Sequence, residues 1–357
     1  MSTYHEEQKA KDTIRLRALL EELPYFLGEF FRGISNTTSI KTRINYANDL
    51  KIFFTYLCEH HKAFQNTAFE QMQSDCLNDI TAEDIDCFLE YVTYYTRPDP
   101  VHKEKTLSFQ NDEKGKARKL ASIRSMYKYF FKKQKVSSNP AAIVDTPKIH
   151  DKKIIRLEAN EVADLLDLVE SCDTDAMSER QKSYIAHTRK RDLALLTLLL
   201  GTGMRVSECV GINISDIDFQ NNSVKILRKG GNETTLYFGE EVLQSLLEYL
   251  PQREQQKNKA EKEDALFLST RGTRITVRAV QNIVKKYARI VSPQKKISPH
   301  KLRSTYGTAL YQETGDIYLV ADVLGHADVN TTRKHYAEIE ESRRRSASKY
   351  VQLRKNQ

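Results

Sequence analysis

Two arginines, two histidines, a lysine and a tyrosine carry the chemistry this sequence offers. Arg205 lies in the run Gly201-Thr-Gly-Met-Arg205-Val-Ser-Glu208. His300-Lys-Leu-Arg303, Leu324-Gly325-His326 and Tyr336 follow within the stretch Ser298–Tyr336. Lys229 stands in Lys229-Gly-Gly-Asn-Glu233, between two alternating runs. The histidines, arginines and tyrosine fall at starts and ends of expected helices and fit no apolar stripe. A set of planar multidentate cations, imidazoles and a phenol suits gripping a phosphodiester and attacking it.

Each residue also has a plainer reading. Arg205 can form an ion pair with Glu208 at i, i+3. His300 follows Pro299 and can be an ordinary residue at a helix start. One turn separates it from Arg303, so both can also reach one pocket, where imidazole accepts a phenol proton or bonds phosphate. His326 can bond its own backbone after the Gly325 turn. A lysine at a hairpin tip is normally solvated, yet Lys229 could donate a proton to a leaving 5′ oxygen. Tyr336 is one of 18 tyrosines, so only its position after Gly325-His326 distinguishes it. Metal-ligand spacing, a phosphate-cradling glycine loop and an acidic pair for Mg²⁺ are all missing from the sequence, which points to covalent catalysis without metal or cofactor.

Composition sets the outer bounds. With 357 residues, the chain can hold two full cores. A net charge of +8 and pI of about 9.0 favour an anionic partner only weakly, because 48 acids are mixed among 56 basic residues. Five scattered cysteines without a CxxC argue against a disulfide framework or zinc site. The polar N-terminus lacks a signal-peptide pattern. The apolar run 193–200 falls short of the roughly 20 residues of a membrane span. A cytoplasmic protein with no membrane association is expected.

The elements that must position the set are mainly helical. A first helix over 16–32 breaks near Pro24, and Thr37 or Thr38 caps a second to His60. Thr81 and Asp84 form a capping box for a third. Residues 97–113 read as a loop, and a fourth helix runs over 113–133. Lys41, Arg43 and Lys51 lie off the apolar face of the second helix. Lys116, Lys119 and Arg124 crowd the first half of the fourth, where cations oppose the helix dipole and an anion would offset that cost. Lys41, Arg43, Lys116, Lys119 and Arg124 are therefore candidate DNA-phosphate contacts, against the plain reading of a solvated charged face.

These helices make an N-terminal domain over 1–145, joined by a basic linker over 146–156 to a C-terminal domain over 157–357. The second domain starts with a helix over 158–170 and a polar insertion over 172–190. A buried helix over 192–201 and another over 204–211 follow. Strands are expected over 212–219, 223–228 and 234–238, the last two as a hairpin. Helices follow over 276–291, 300–313, 316–324 and 330–337, then a basic tail. The expected class is mainly α with a small antiparallel β-sheet.

Arg205, Lys229, His300-x-x-Arg303, Leu-Gly-His326 and Tyr336, in this order and spacing, resemble the tyrosine recombinase (phage integrase) family over nearly the whole chain. Within it the chain is similar to the Xer recombinases. Arg228-Lys229-Gly-Gly, the polar insertion before residues 189–192 and the stretch from Lys259 resemble the single-recombinase XerS branch. The resemblance implies a helical, SAM-like core-binding domain followed by an α+β catalytic domain. It implies Tyr336 as nucleophile forming a 3′-phosphotyrosine, Lys229 as general acid, His300 assisting proton transfer, and Arg205, Arg303 and His326 stabilising phosphorane charge. It also implies a homotetramer on two double-stranded DNA sites, a dimer on each, strand exchange through a Holliday junction, and a septal DNA translocase as accessory partner. Resolution of chromosome dimers is the expected role. Integration or excision of a mobile element shares the chemistry. A type IB topoisomerase and a non-catalytic architectural DNA-binding protein are the competing readings.

Overall fold

The computed structural model describes residues 4–65, 67–99, 102, 104–150, 154–171, 178–228, 231–256, 264–326 and 329. The chain divides into two compact units, Met1–Asp151 and Lys152–Gln357. The architecture is mainly α with small antiparallel sheets.

The first unit contains α1 (Tyr4–Glu21), α2 (Leu27–Gly33), α3 (Ile40–His60), α4 (Ala82–Tyr91), β1 (Tyr94–Pro98), β2 (Thr106–Gln110) and α5 (Glu113–Lys132). Its core is rich in phenylalanine: Phe30, Phe53, Phe54, Phe88 and Phe130 are fully buried. Phe53 meets Phe88 edge to face with centroids 5.0 Å apart, the arrangement that ring quadrupoles favour. α1 begins well before the expected start, and the chain breaks before Pro24, as the residue preceding a proline disfavours helix. Ser39, rather than Thr37 or Thr38, caps α3: its hydroxyl accepts from the Thr42 N–H at 3.2 Å. The Thr81–Asp84 capping box forms reciprocally. The expected loop over 97–113 is largely a β-hairpin, with Tyr95 paired to Phe109 and their rings stacked at 5.1 Å. Pro98 sits at the end of β1 and so interrupts no inner ladder bond.

The second unit contains α6 (Ala159–Ser171), α7 (Glu179–Thr202), α8 (Val206–Gly211), β3 (Ile217–Asp218), β4 (Ser223–Leu227), β5 (Glu233–Tyr237), α9 (Glu240–Gln256), α10 (Val277–Val291), α11 (Pro299–Thr314) and α12 (Ile317–Leu324). The polar stretch expected as an insertion over 172–190 becomes, from Glu179, the first half of one 24-residue helix. Its second half is buried against α9. Gly201 permits that approach, since a Cβ there would stand 2.6 Å from Val242 Cγ2. The buried hydroxyls of Thr197 and Ser245 bond across the same contact at 2.7 Å.

Only Ile217–Asp218 of the expected strand over 212–219 is strand, because a 3-10 turn capped by Asn213 and Asp216 occupies 214–216. The β4–β5 hairpin pairs Leu227 with Glu233, which brings the chain back at Arg228. The expected helix over 330–337 lies outside the described residues.

Candidate active site

Arg205 is not inside a helix, as its spacing predicts, but at the N-cap of α8 with extended backbone angles. That placement frees its N–H, which donates to Glu208 Oε2 at 2.7 Å. Its Nη1 donates to Glu208 Oε1 at 2.8 Å. Glu208 is buried while Arg205 remains 35% exposed along its side chain, so the carboxylate orients the guanidinium from behind and leaves part of it open. The third hold on Arg205 comes from further along the chain: Nη2 donates to the Gly325 carbonyl at 3.1 Å.

Arg303 projects from the second turn of α11, which starts with Pro299 at its first position, where a missing N–H costs nothing. It is buried, and its Nη1 donates to the Gly203 carbonyl at 2.8 Å. Its Nη2 donates to the Leu324 carbonyl. Gly203 follows α7 with φ +63°, and a Cβ there would overlap the Tyr306 ring at 2.3 Å. Two arginines from different elements thus sit on adjacent carbonyls, Leu324 and Gly325, at the end of α12.

That helix end is electronegative, since its last carbonyls lack intrahelical donors. Gly325 closes it in the left-handed region at φ +61°. Its N–H returns to Asp322 O at 2.8 Å, and the His326 N–H to Ala321 O at 2.9 Å. This paired capping pattern turns the chain sharply and sets half-buried His326 beside the carbonyl that holds Arg205.

Arg228 joins the same helix end, though it carries no expected catalytic role. Its Nη1 and Nη2 donate to Asp322 O at 3.1 Å and Val323 O at 2.7 Å. Its signal in the sequence is weak, because the acceptors are backbone carbonyls and leave no side-chain pattern.

His300 is exposed, one turn ahead of Arg303 on α11. Lys229 and Tyr336 lie outside the described residues. Among the described residues, no group of three or more His, Cys, Asp or Glu side chains could hold a metal ion. No described helix is long and apolar enough to cross a membrane.

The expected DNA contacts belong to the first unit and separate into two kinds. Lys41 is exposed on α3 and Arg43 half-buried near it. Lys116 is half-buried and its ammonium donates to Thr93 Oγ1 at 3.3 Å. Lys119 requires a correction: it is buried, 2.7 Å from Asn111 Oδ1 and 3.9 Å from the buried Asp49 carboxylate. Burial pushes the Asp49 carboxyl up, and the Arg118 and Lys119 charges pull it back. Burial also pushes the Lys119 ammonium down. Arg124 is corrected likewise: its guanidinium holds the carbonyls of Ala141 and Val144 and the Thr146 hydroxyl. Arg118, which belongs to the same basic cluster, is 47% exposed and more accessible than Lys119 beside it.

Comparison with known proteins supplies the lineage. Residues 156–343 match the model of the phage integrase family. The chain is 32% identical over 350 residues to a tyrosine recombinase XerC of Caldanaerobacter subterraneus subsp. tengcongensis, spanning 95% of this chain and 89% of the relative. It is 30% identical over 317 residues to a tyrosine recombinase XerC of Natranaerobius thermophilus, spanning 87% and 92%. Among solved structures, the XerH site-specific recombinase bound to a palindromic difH substrate superposes with a TM-score of 0.62. That match has 18% identity and covers 94% of each chain, so it speaks for the fold. With a family match over more than half its length and an XerC relative along almost all of it, the chain belongs to the phage integrase family and is a tyrosine recombinase, an enzyme of site-specific DNA recombination.

Proposed function

We propose that this recombinase cuts and rejoins duplex DNA through a 3′-phosphotyrosine on Tyr336, and that its role is to resolve chromosome dimers before segregation. The observation that carries the reading is the pairing of Arg205 and Arg303 on the adjacent carbonyls of Gly325 and Leu324, next to His326. Two preorganised guanidiniums can hold both non-bridging oxygens of a phosphate as charge develops.

In this mechanism the Tyr336 oxygen forms a bond to phosphorus while the bond to the 5′ oxygen breaks. Lys229 gives its proton to the leaving 5′ oxygen. His300 takes up or orients the phenol proton, and Arg205, Arg303 and His326 stabilise the phosphorane. The phosphodiester energy is retained in the phosphotyrosine, so rejoining draws on no nucleotide cofactor.

The first unit is the core-binding domain and the second the catalytic domain, and each contributes contacts to the DNA. Two protomers occupy each DNA site and four make the synapse. XerH, to which the fold is similar, is seen on difH DNA before and after cleavage, which supports duplex DNA as the partner. A cytoplasmic setting and a septal DNA translocase as accessory partner accord with the segregation role. Arg228-Lys229-Gly-Gly supports assignment to the single-recombinase XerS branch.

Nicked suicide substrates carrying candidate chromosomal sites test the chemistry. A covalent adduct on a denaturing gel is expected, and it should persist in the presence of a chelator. A deletion strain tests the role. Chains of cells with unsegregated DNA are expected, whereas normal segregation with excision of an element flanking the gene would replace dimer resolution with mobile-element recombination.

A further inference from the structure

Arg228 stands at the point where the β4–β5 hairpin leaves its ladder. Its N–H donates to Asn232 O at 2.8 Å and its carbonyl accepts from Gly231 N–H at 3.1 Å, so its backbone is held by the hairpin. Its side chain reaches out of the hairpin to the end of α12, 94 and 95 residues further along the chain. There it takes the Asp322 and Val323 carbonyls. Arg303 and Arg205 take the next two, Leu324 and Gly325. Four consecutive carbonyls therefore receive three guanidiniums from three separate elements.

The fit around Arg228 is specific. A Cβ at Gly325 would stand 2.0 Å from its Nη1 and 2.5 Å from its Cζ, so the guanidinium lies directly on the glycine face. Its Nε is buried without a hydrogen-bond partner. The hold on the helix end thus runs through the two terminal nitrogens alone. A planar fork meets two successive carbonyls in a way that a single ammonium cannot.

We infer that Arg228 is a positioning residue for strand cleavage: by clamping Asp322 and Val323 to the hairpin, it fixes the Leu324 and Gly325 carbonyls on which Arg303 and Arg205 rest. The inference builds on the recombinase mechanism above. It gives the hairpin a second task, independent of the proton donor next in sequence. Without the clamp, the helix end shifts, and both guanidiniums lose their common reference. A displacement on the scale of 1 Å at a charge-stabilising group can lower a rate on the order of 100-fold.

The test uses the full-length protein. In Arg228→Ala, hydrogen exchange at the Gly325 and His326 amides should accelerate, DNA affinity should hold, and single-turnover cleavage of a nicked substrate should fall on the order of 100-fold. Arg228→Lys should recover part of the amide protection and a smaller part of the rate. Combined with Arg205→Lys, the loss should be less than the product of the two separate losses, because both act through one platform. A substrate with sulfur in the 5′-bridging position leaves without needing a proton. The defect should persist on it.

Wild-type cleavage and exchange in Arg228→Ala, strict additivity with Arg205→Lys, or full rescue by the sulfur substrate would each overturn the inference. If the alanine variant does not fold, the lysine variant carries the same measurements. Absence of any adduct with the wild-type protein would count against the recombinase mechanism instead, and the amide exchange would still judge the clamp.

Discussion

Arg303 and Arg205 rest on neighbouring carbonyls: Leu324 O accepts from one and Gly325 O from the other. They are nevertheless held differently behind that shared edge. Arg303 is buried with a second bond to Gly203 O, whereas Arg205 is partly open and backed by Glu208.

That difference separates catalysis from stability. Arg205→Ala and Arg303→Ala should each lose about 3–4 kcal/mol of transition-state stabilisation, as expected for one preorganised donor. Arg303→Ala should also destabilise the fold by about 1–3 kcal/mol, because the Gly203 and Leu324 carbonyls lose their buried donor. Thermal melts beside single-turnover cleavage measure both. Equal melting temperatures for the two variants would refute the structural asymmetry, and near-wild-type cleavage by either would refute the shared phosphate role.

Tyr336→Phe should bind site DNA and yield no covalent adduct. Tyr306, also near the site in sequence, is a poor substitute nucleophile because burial pushes its phenol up, away from the ionised form. Peptide mapping of trapped wild-type adducts should locate the phosphate on Tyr336. Recovery of it on Tyr306 would reverse that ordering.

The basic residues of the first unit should divide by their burial. Lys41→Gln and Lys116→Gln together should lower the salt slope of DNA binding by roughly 0.9 per lost phosphate contact. Lys119→Gln should instead destabilise, since Asp49 then keeps a buried charge with one partner fewer. A Lys119 variant with full stability and a reduced slope would return that residue to the DNA surface.

In the second unit, burial pushes the Asp192 carboxyl up, against the pull of Arg191 and of the Tyr287 hydroxyl. The folded state therefore holds this proton more tightly than the unfolded chain. Its contribution to stability is full below the ordinary carboxylate value and declines as pH rises through the folded one. Asp192→Asn should flatten that decline across the acid range, whatever it does to absolute stability. A melting-temperature curve parallel to the wild type would contradict the assignment.

Side chains that act on near neighbours were legible from sequence. Thr81 and Asp84 announce a helix start at fixed spacing, and Arg205 and Glu208 announce an ion pair. Lys119 was not legible, because its partner Asp49 lies 70 residues away and a lysine among lysines looks solvated. Arg228 was hidden for a different reason: backbone carbonyls accept its bonds, and every residue has one. The β1–β2 hairpin was masked by Pro98 and the acidic residues around it, which read as turn chemistry until strand pairing overrides them. The first half of α7 is polar because it carries few buried side chains, so amphipathic periodicity could not announce it.

α12 has eight residues, Ile317–Leu324. A helix that short has no standing in water on its own. Beyond Val320, Ala321 and Leu324 packing inward and the Gly325 and His326 N–H bonds that cap it, its final turn is held by the cluster of arginines that its carbonyls in turn align. Folding of this segment and assembly of the cationic pocket are thus one cooperative event. A local opening confined to α12 would take away the carbonyls that align Arg205 and Arg303 while the rest of the second unit stayed folded, at a cost below that of unfolding the whole unit.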